Sequence, residues 1–131
     1  MKTSPFHLFS FSPLLLFFLF LIACSAEPPS IPTPTLSPVE AQGKEVFNLH
    51  CATCHANGPD TIIVGPSLAG VASRAGERVT GMDAKTYIQT SILKPDAFLV
   101  EGFDNLMLPG IAKQLSGEDF DAVVAYLLTL K

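Results

Sequence analysis

NLHCATCHANG, residues 48–58, gathers two of the chain's three cysteines, Cys51 and Cys54, and two of its three histidines, His50 and His55. Thiols and imidazoles this close together allow three chemistries: a metal site, a redox-active dithiol, or the anchorage of a larger group. What surrounds the stretch decides among them. A chain of 131 residues holds at most one modest domain once any targeting segment is set aside.

Upstream, residues 8–22, LFSFSPLLLFFLFLI, are apolar apart from two serines and a proline and follow a short start bearing Lys2 and His7, the pattern of an exported N-terminus. Leu21-Ile22-Ala23-Cys24 resembles the lipobox of bacterial lipoproteins, in which the peptide is cut before the cysteine and the thiol is lipidated. That assigns the odd cysteine, Cys24, to lipidation. An uncleaved membrane anchor is the alternative, but the run falls short of the roughly 20 residues a span requires and Pro13 interrupts it. Ordinary secretion with loss of Cys24 is a third reading. All three place the remainder outside the cytoplasmic membrane, and the lipoprotein reading tethers it to the extracytoplasmic face. Residues 25–38, SAEPPSIPTPTLSP, carry five prolines in fourteen positions. Such a segment has few backbone donors and no periodic apolar face, so it is expected to behave as an extended tether of on the order of 40 Å. The chain thus divides into a lipoprotein-type signal peptide at 1–23, a lipidated cysteine and Pro-rich tether at 24–38, and a folded domain at 39–131.

The domain's helices announce themselves by their caps. Ser37 is placed to cap a first helix, Pro38 suits its first position, and Glu40 completes a capping box. Val39, Gly43, Val46 and Phe47 then fall on one stripe. An interior glycine costs roughly 1 kcal/mol against alanine, so Gly43 implies a close backbone crossing. The partner expected for it is a terminal helix capped by Ser116, with Leu115 stapled to Phe120 and a stripe of Phe120, Val123, Val124 and Leu127. A third helix is expected from Asp83 to about Lys94, stopped by Pro95. Residues 56–81 and 95–114 are punctuated by Gly, Pro, Asn and Asp and read as loop, with no alternating strand and no internal repeat.

Three short helices and long loops over about 95 residues make a meagre core, so something else must fill the centre. Cys51-Ala52-Thr53-Cys54-His55 supplies it, because C-x-x-C-H is the pattern of covalent haem attachment. Residues i and i+3 of a helical turn share a face, which lets both thiols meet one flat macrocycle and form thioethers with its two vinyl groups while His55 turns toward the iron. A zinc site lacks a second Cys or His cluster. A thioredoxin-like dithiol lacks its strand-helix-strand context. A plain disulfide suits an oxidising compartment but leaves the core empty.

With these residues in place the chain resembles the class I mono-haem c-type cytochromes over nearly all of residues 37–131. Family features appear in family order: Gly43 with Phe47, Cys51 to His55, Gly65-Pro66-Ser67-Leu68-Ala69-Gly70, Met107, and Tyr126. The resemblance implies an all-α cytochrome c fold, three or more short helices and long loops wrapped around one haem c bound through Cys51 and Cys54. It also implies that the Pro66 carbonyl accepts the Nδ1 proton of His55 and that His55 and Met107 are the axial ligands. Leu108 intervenes where many relatives have proline directly after the methionine. Met82, the other remaining methionine, precedes the cap Asp83 and is accounted for as a staple onto Tyr87.

The function expected is one-electron transfer in a respiratory or photosynthetic chain, with protein redox partners and no small-molecule substrate. The alternatives are a fixed haem subunit of a larger oxidoreductase, or a five-coordinate peroxidase or gas-binding site, for which no distal His or Arg is apparent. His50 reads as a partly buried or surface neighbour, and Arg74 and Arg78 either pair with haem propionates or lie solvated. Removing residues 1–23 leaves seven basic and twelve acidic residues, a net charge of about −5. That disfavours nucleic acid and favours a basic patch on a redox partner.

Overall fold

The computed structural model describes residues 35–131. The expected signal peptide, the lipidation at Cys24 and most of the Pro-rich tether lie outside the described residues. Among those described there are four helices and no strand, which is the all-α class expected.

Helix α1 spans Pro38–His50. Its cap forms as its sequence dictates: the Ser37 amide donates to Glu40 Oε2 at 2.7 Å and the Glu40 amide to Ser37 Oγ at 3.4 Å. Two of the orphan amides of the first turn are thereby satisfied. Gly43, Val46 and Phe47 are buried, but Val39 is 52 % exposed. The apolar stripe therefore begins one turn later than its spacing suggested.

That partner is α4, Gly117–Leu127, capped by Ser116 Oγ accepting from the Asp119 amide at 3.0 Å. The two helices cross at Gly43, where a Cβ would fall 1.9 Å from the Ala122 carbonyl oxygen. So close an approach brings the Phe47 and Tyr126 rings to 5.6 Å between centroids at 53°. Phe47, Val123 and Val124 lose nearly all solvent contact at this crossing, each burial contributing about 1.5–3 kcal/mol.

Helix α3, Ala84–Leu93, is capped by Asp83 and turns Tyr87, Ile88 and Ile92 inward. Its extent matches expectation. The 56–81 segment is not all loop, however: α2, Val71–Arg74, and a 3-10 turn, Ala75–Glu77, follow Gly70 directly, and a second 3-10 turn covers Ile111–Gln114. Four residues are too few to show a helical period, so α2 is set by its surroundings. Gly70 adopts a left-handed φ of 69° that redirects the chain, and the Ala72 amide docks on the Leu130 carbonyl at 2.9 Å.

Candidate functional site

The site begins where α1 ends. The Phe47 carbonyl accepts from the amides of Cys51 (2.8 Å) and Ala52 (2.9 Å), and the Cys51 carbonyl from those of Cys54 (3.0 Å) and His55 (2.9 Å). The chain thus keeps turning through the motif and holds the two thiols one turn apart. The Cys54 carbonyl then accepts from Val64 (3.2 Å) and Gly65 (2.9 Å), folding the 56–64 loop back onto the motif.

This return brings Pro66 to His55. His55 Nδ1 lies 2.9 Å from the Pro66 carbonyl oxygen. A carbonyl can only accept, so Nδ1 carries the proton and Nε2 keeps a free lone pair, the tautomer an iron ligand needs. Gly65 makes the approach possible: a Cβ there would stand 2.4 Å from His55 Cε1.

Cys51, Cys54, His55, Pro66 and Met107 all line one cavity of about 210 Å³, completed by α3 residues such as Ile88 and Ile92 and by the 95–108 segment. The cavity occupies the centre that the short helices leave unfilled. Met82 is absent from its wall and lines a separate space of about 40 Å³ with Val79 and Tyr87, in keeping with a packing role. His50 is exposed at the cavity's rim.

No disulfide joins Cys51 and Cys54. Burial, and then the neighbouring Cys54, push the Cys51 pKa up to about 11. A redox-active dithiol depends on a depressed thiolate pKa, so the shift runs against that chemistry. Among the described residues no group of three or more His, Cys, Asp or Glu gathers, so the ligands of a zinc site are not assembled. Two thiols one turn apart, an imidazole with its lone pair free and an apolar chamber beside them fit a covalently held haem.

Three contacts here could not be read from the sequence. The Asn57 amide donates to the Tyr126 hydroxyl at 2.8 Å, tying the loop after the motif to α4. The Ser67 hydroxyl donates to the Gly58 carbonyl at 2.7 Å. Arg74 donates through its two terminal nitrogens to the Ser67 and Ala69 carbonyls. Burial, followed by the nearby Arg78 charge, lowers the Arg74 pKa from its ordinary value. Arg78 lines the cavity as well, and its guanidinium makes no hydrogen bond among the described residues.

The cytochrome c family model matches residues 40–131, from the first turn of α1 to the last residue of the sequence. The chain belongs to the cytochrome c family. Its cofactor is haem c, held covalently through Cys51 and Cys54. This cytochrome is also similar to a "Cytochrome c6-like" protein of Nostoc sp. (strain PCC 7120 / SAG 25.82 / UTEX 2576), 29% identical over 114 residues that cover 87% of this chain and 86% of that one. The family match and this likeness support electron transfer by a c-type cytochrome rather than catalysis.

Proposed function

We propose that this cytochrome is a one-electron carrier with His55 and Met107 as fixed axial ligands, tethered through Cys24 to the extracytoplasmic face of a bacterial membrane. The convergence of Cys51, Cys54, His55 and Met107 on one cavity carries the reading. Haem supplies the Fe(II)/Fe(III) couple, and His/Met ligation raises its potential and closes the position where oxygen or peroxide would bind. The protein's own work is to hold that ligand set still. Pro66 fixes the His55 tautomer, while α3 and the 95–108 segment keep water from the chamber. With no bond made or broken, no substrate pocket is needed.

Contact with partners falls to the rim. Leu106 and Leu108 are 61 % and 63 % exposed beside Met107, and Val64 and Leu99 are exposed on the same cavity wall. A small apolar rim suits the brief, low-area encounters of electron transfer. The net charge of about −5 on residues 24–131 would steer the domain toward a basic partner in a respiratory or photosynthetic chain.

The test is the spectrum of the oxidised protein and of Met107→Ala. The wild type should show the weak far-red methionine-to-iron band and the variant should lose it, gaining rapid carbon monoxide binding when reduced. A band that survives the substitution rules out Met107. Metabolic labelling with a fatty acid, abolished by Cys24→Ser, tests the tether.

A further inference from the structure

Resting on His55 as an iron ligand, we propose that Arg74 is a positioning residue for it: its guanidinium holds the Pro66–Gly70 loop so that the Pro66 carbonyl keeps the His55 Nδ1 proton, and so lowers the haem's potential.

The loop is pinned from two sides. On one side the Leu68 amide donates to the Ala56 carbonyl at 2.8 Å and Ser67 Oγ to the Gly58 carbonyl at 2.7 Å. Both anchors belong to the segment just after the motif. On the other side the Leu68 carbonyl accepts from the Val71 amide and the Gly70 carbonyl from those of Ser73 and Arg74, while the Arg74 side chain bridges the Ser67 and Ala69 carbonyls. A guanidinium can span two carbonyls with its planar fork, and an ammonium cannot match that geometry. The fold makes room for it: a Cβ on Gly70 would come within 3.1 Å of Arg74 Nη1. Helix α2 delivers the side chain, since Arg74 ends the one turn that starts at Gly70 and curls back beneath it. The Ser67 carbonyl held by Arg74 is one peptide from the Pro66 carbonyl held by His55. Loosening the first lets the second turn away.

The electronic consequence has a definite sign. A firm Nδ1–H bond makes Nε2 more basic and favours the more highly charged Fe(III). Loss of the clamp should therefore raise the potential. Loss of a nearby positive charge does the reverse, because it also favours Fe(III). Arg74 and Arg78 thus separate the two effects: Arg78 lines the same cavity but has no bond to the loop.

The experiment compares holoprotein of the wild type, Arg74→Lys and Arg78→Gln by redox titration and by proton NMR of the His55 Nδ1 proton. Arg74→Lys keeps the charge and breaks the fork. It should raise the potential and speed solvent exchange of that proton roughly tenfold, about the net worth of one hydrogen bond, with the far-red band retained. Arg78→Gln should lower the potential and leave the exchange unchanged. In the wild type the Arg74 terminal N–H signals should be resolved and those of Arg78 averaged, a result that needs no variant. Unchanged exchange in Arg74→Lys, a shift in the same direction as Arg78→Gln, or averaged Arg74 signals would overturn the proposal. A wild-type Nδ1 proton without a hyperfine shift in the oxidised state would overturn both His55 as ligand and the role of Arg74. A missing far-red band would overturn Met107 alone, and the exchange rates would still decide for or against Arg74.

Discussion

Gly43 of α1 lies so close to Ala122 of α4 that a Cβ would stand 1.9 Å from the Ala122 carbonyl oxygen and 2.8 Å from Tyr126 Cβ. The obstruction is backbone, which cannot rotate aside. Gly43→Ala would gain about 1 kcal/mol of helix propensity, but overpacking costs typically 1–3 kcal/mol, and here relief requires the helices to separate. The variant should be destabilised at or above the top of that range. Denaturant unfolding followed by haem absorbance reads it, and equal or greater stability would mean that the helices do not cross at this residue.

Gly65→Ala tests the other close approach. A Cβ 2.4 Å from His55 Cε1 falls roughly 1 Å short of an ordinary carbon contact, so the imidazole must tilt or its bond to Pro66 must lengthen. The effect should appear first in the iron's surroundings: a shifted potential and an altered oxidised spectrum, with a smaller stability loss than Gly43→Ala. A spectrum identical to wild type would show that His55 does not rest on Gly65.

These two glycines show how much of the molecule its sequence discloses. Gly43 could be understood beforehand because a glycine inside a well-capped helix has few explanations, and the caps Ser37, Asp83 and Ser116 all form where local chemistry put them. Such interactions span three residues, within reach of pattern reading. The C-x-x-C-H motif and the unfilled core pointed to haem for the same reason. Val39 misled because a periodic position is buried only where another element covers it, and Val39 stays 52 % exposed. Helix α2, the Asn57–Tyr126 bond and the Arg74 clamp were hidden. One turn carries no period, and a polar residue's partner 69 positions away leaves no local trace.

The Asn57–Tyr126 bond yields a modest, decidable number. Tyr126 is 3 % exposed, while Asn57 is exposed and its amide can turn to water once the hydroxyl is gone. Tyr126→Phe should therefore cost about 0.5–1.5 kcal/mol, against about 3–5 kcal/mol when an aromatic ring is removed from a core, as in Tyr126→Ala. Thermal unfolding of both variants checks the ratio. A Phe variant as damaged as the Ala variant would assign the stability of α4 to the hydroxyl rather than the ring.

Acid should loosen the contact between α1 and α4. Gln42 Nε2 donates to Asp119 Oδ1 at 3.0 Å, and Ser116 Oγ donates to Asp119 Oδ2 at 2.8 Å. These bonds, Gln42's first, hold the Asp119 pKa below its ordinary 3.8. A carboxyl whose pKa is depressed by folding contributes stability above its unfolded pKa and loses that contribution as pH falls through the folded value. The contribution should thus be complete at pH 6 and fade below about 3.8. The melting temperatures of wild type and Gln42→Ala, compared from pH 6 down to 3, should differ most at the high end and converge at the low end. A gap that stays constant with pH would mean that Gln42 acts through packing and not through the Asp119 carboxylate.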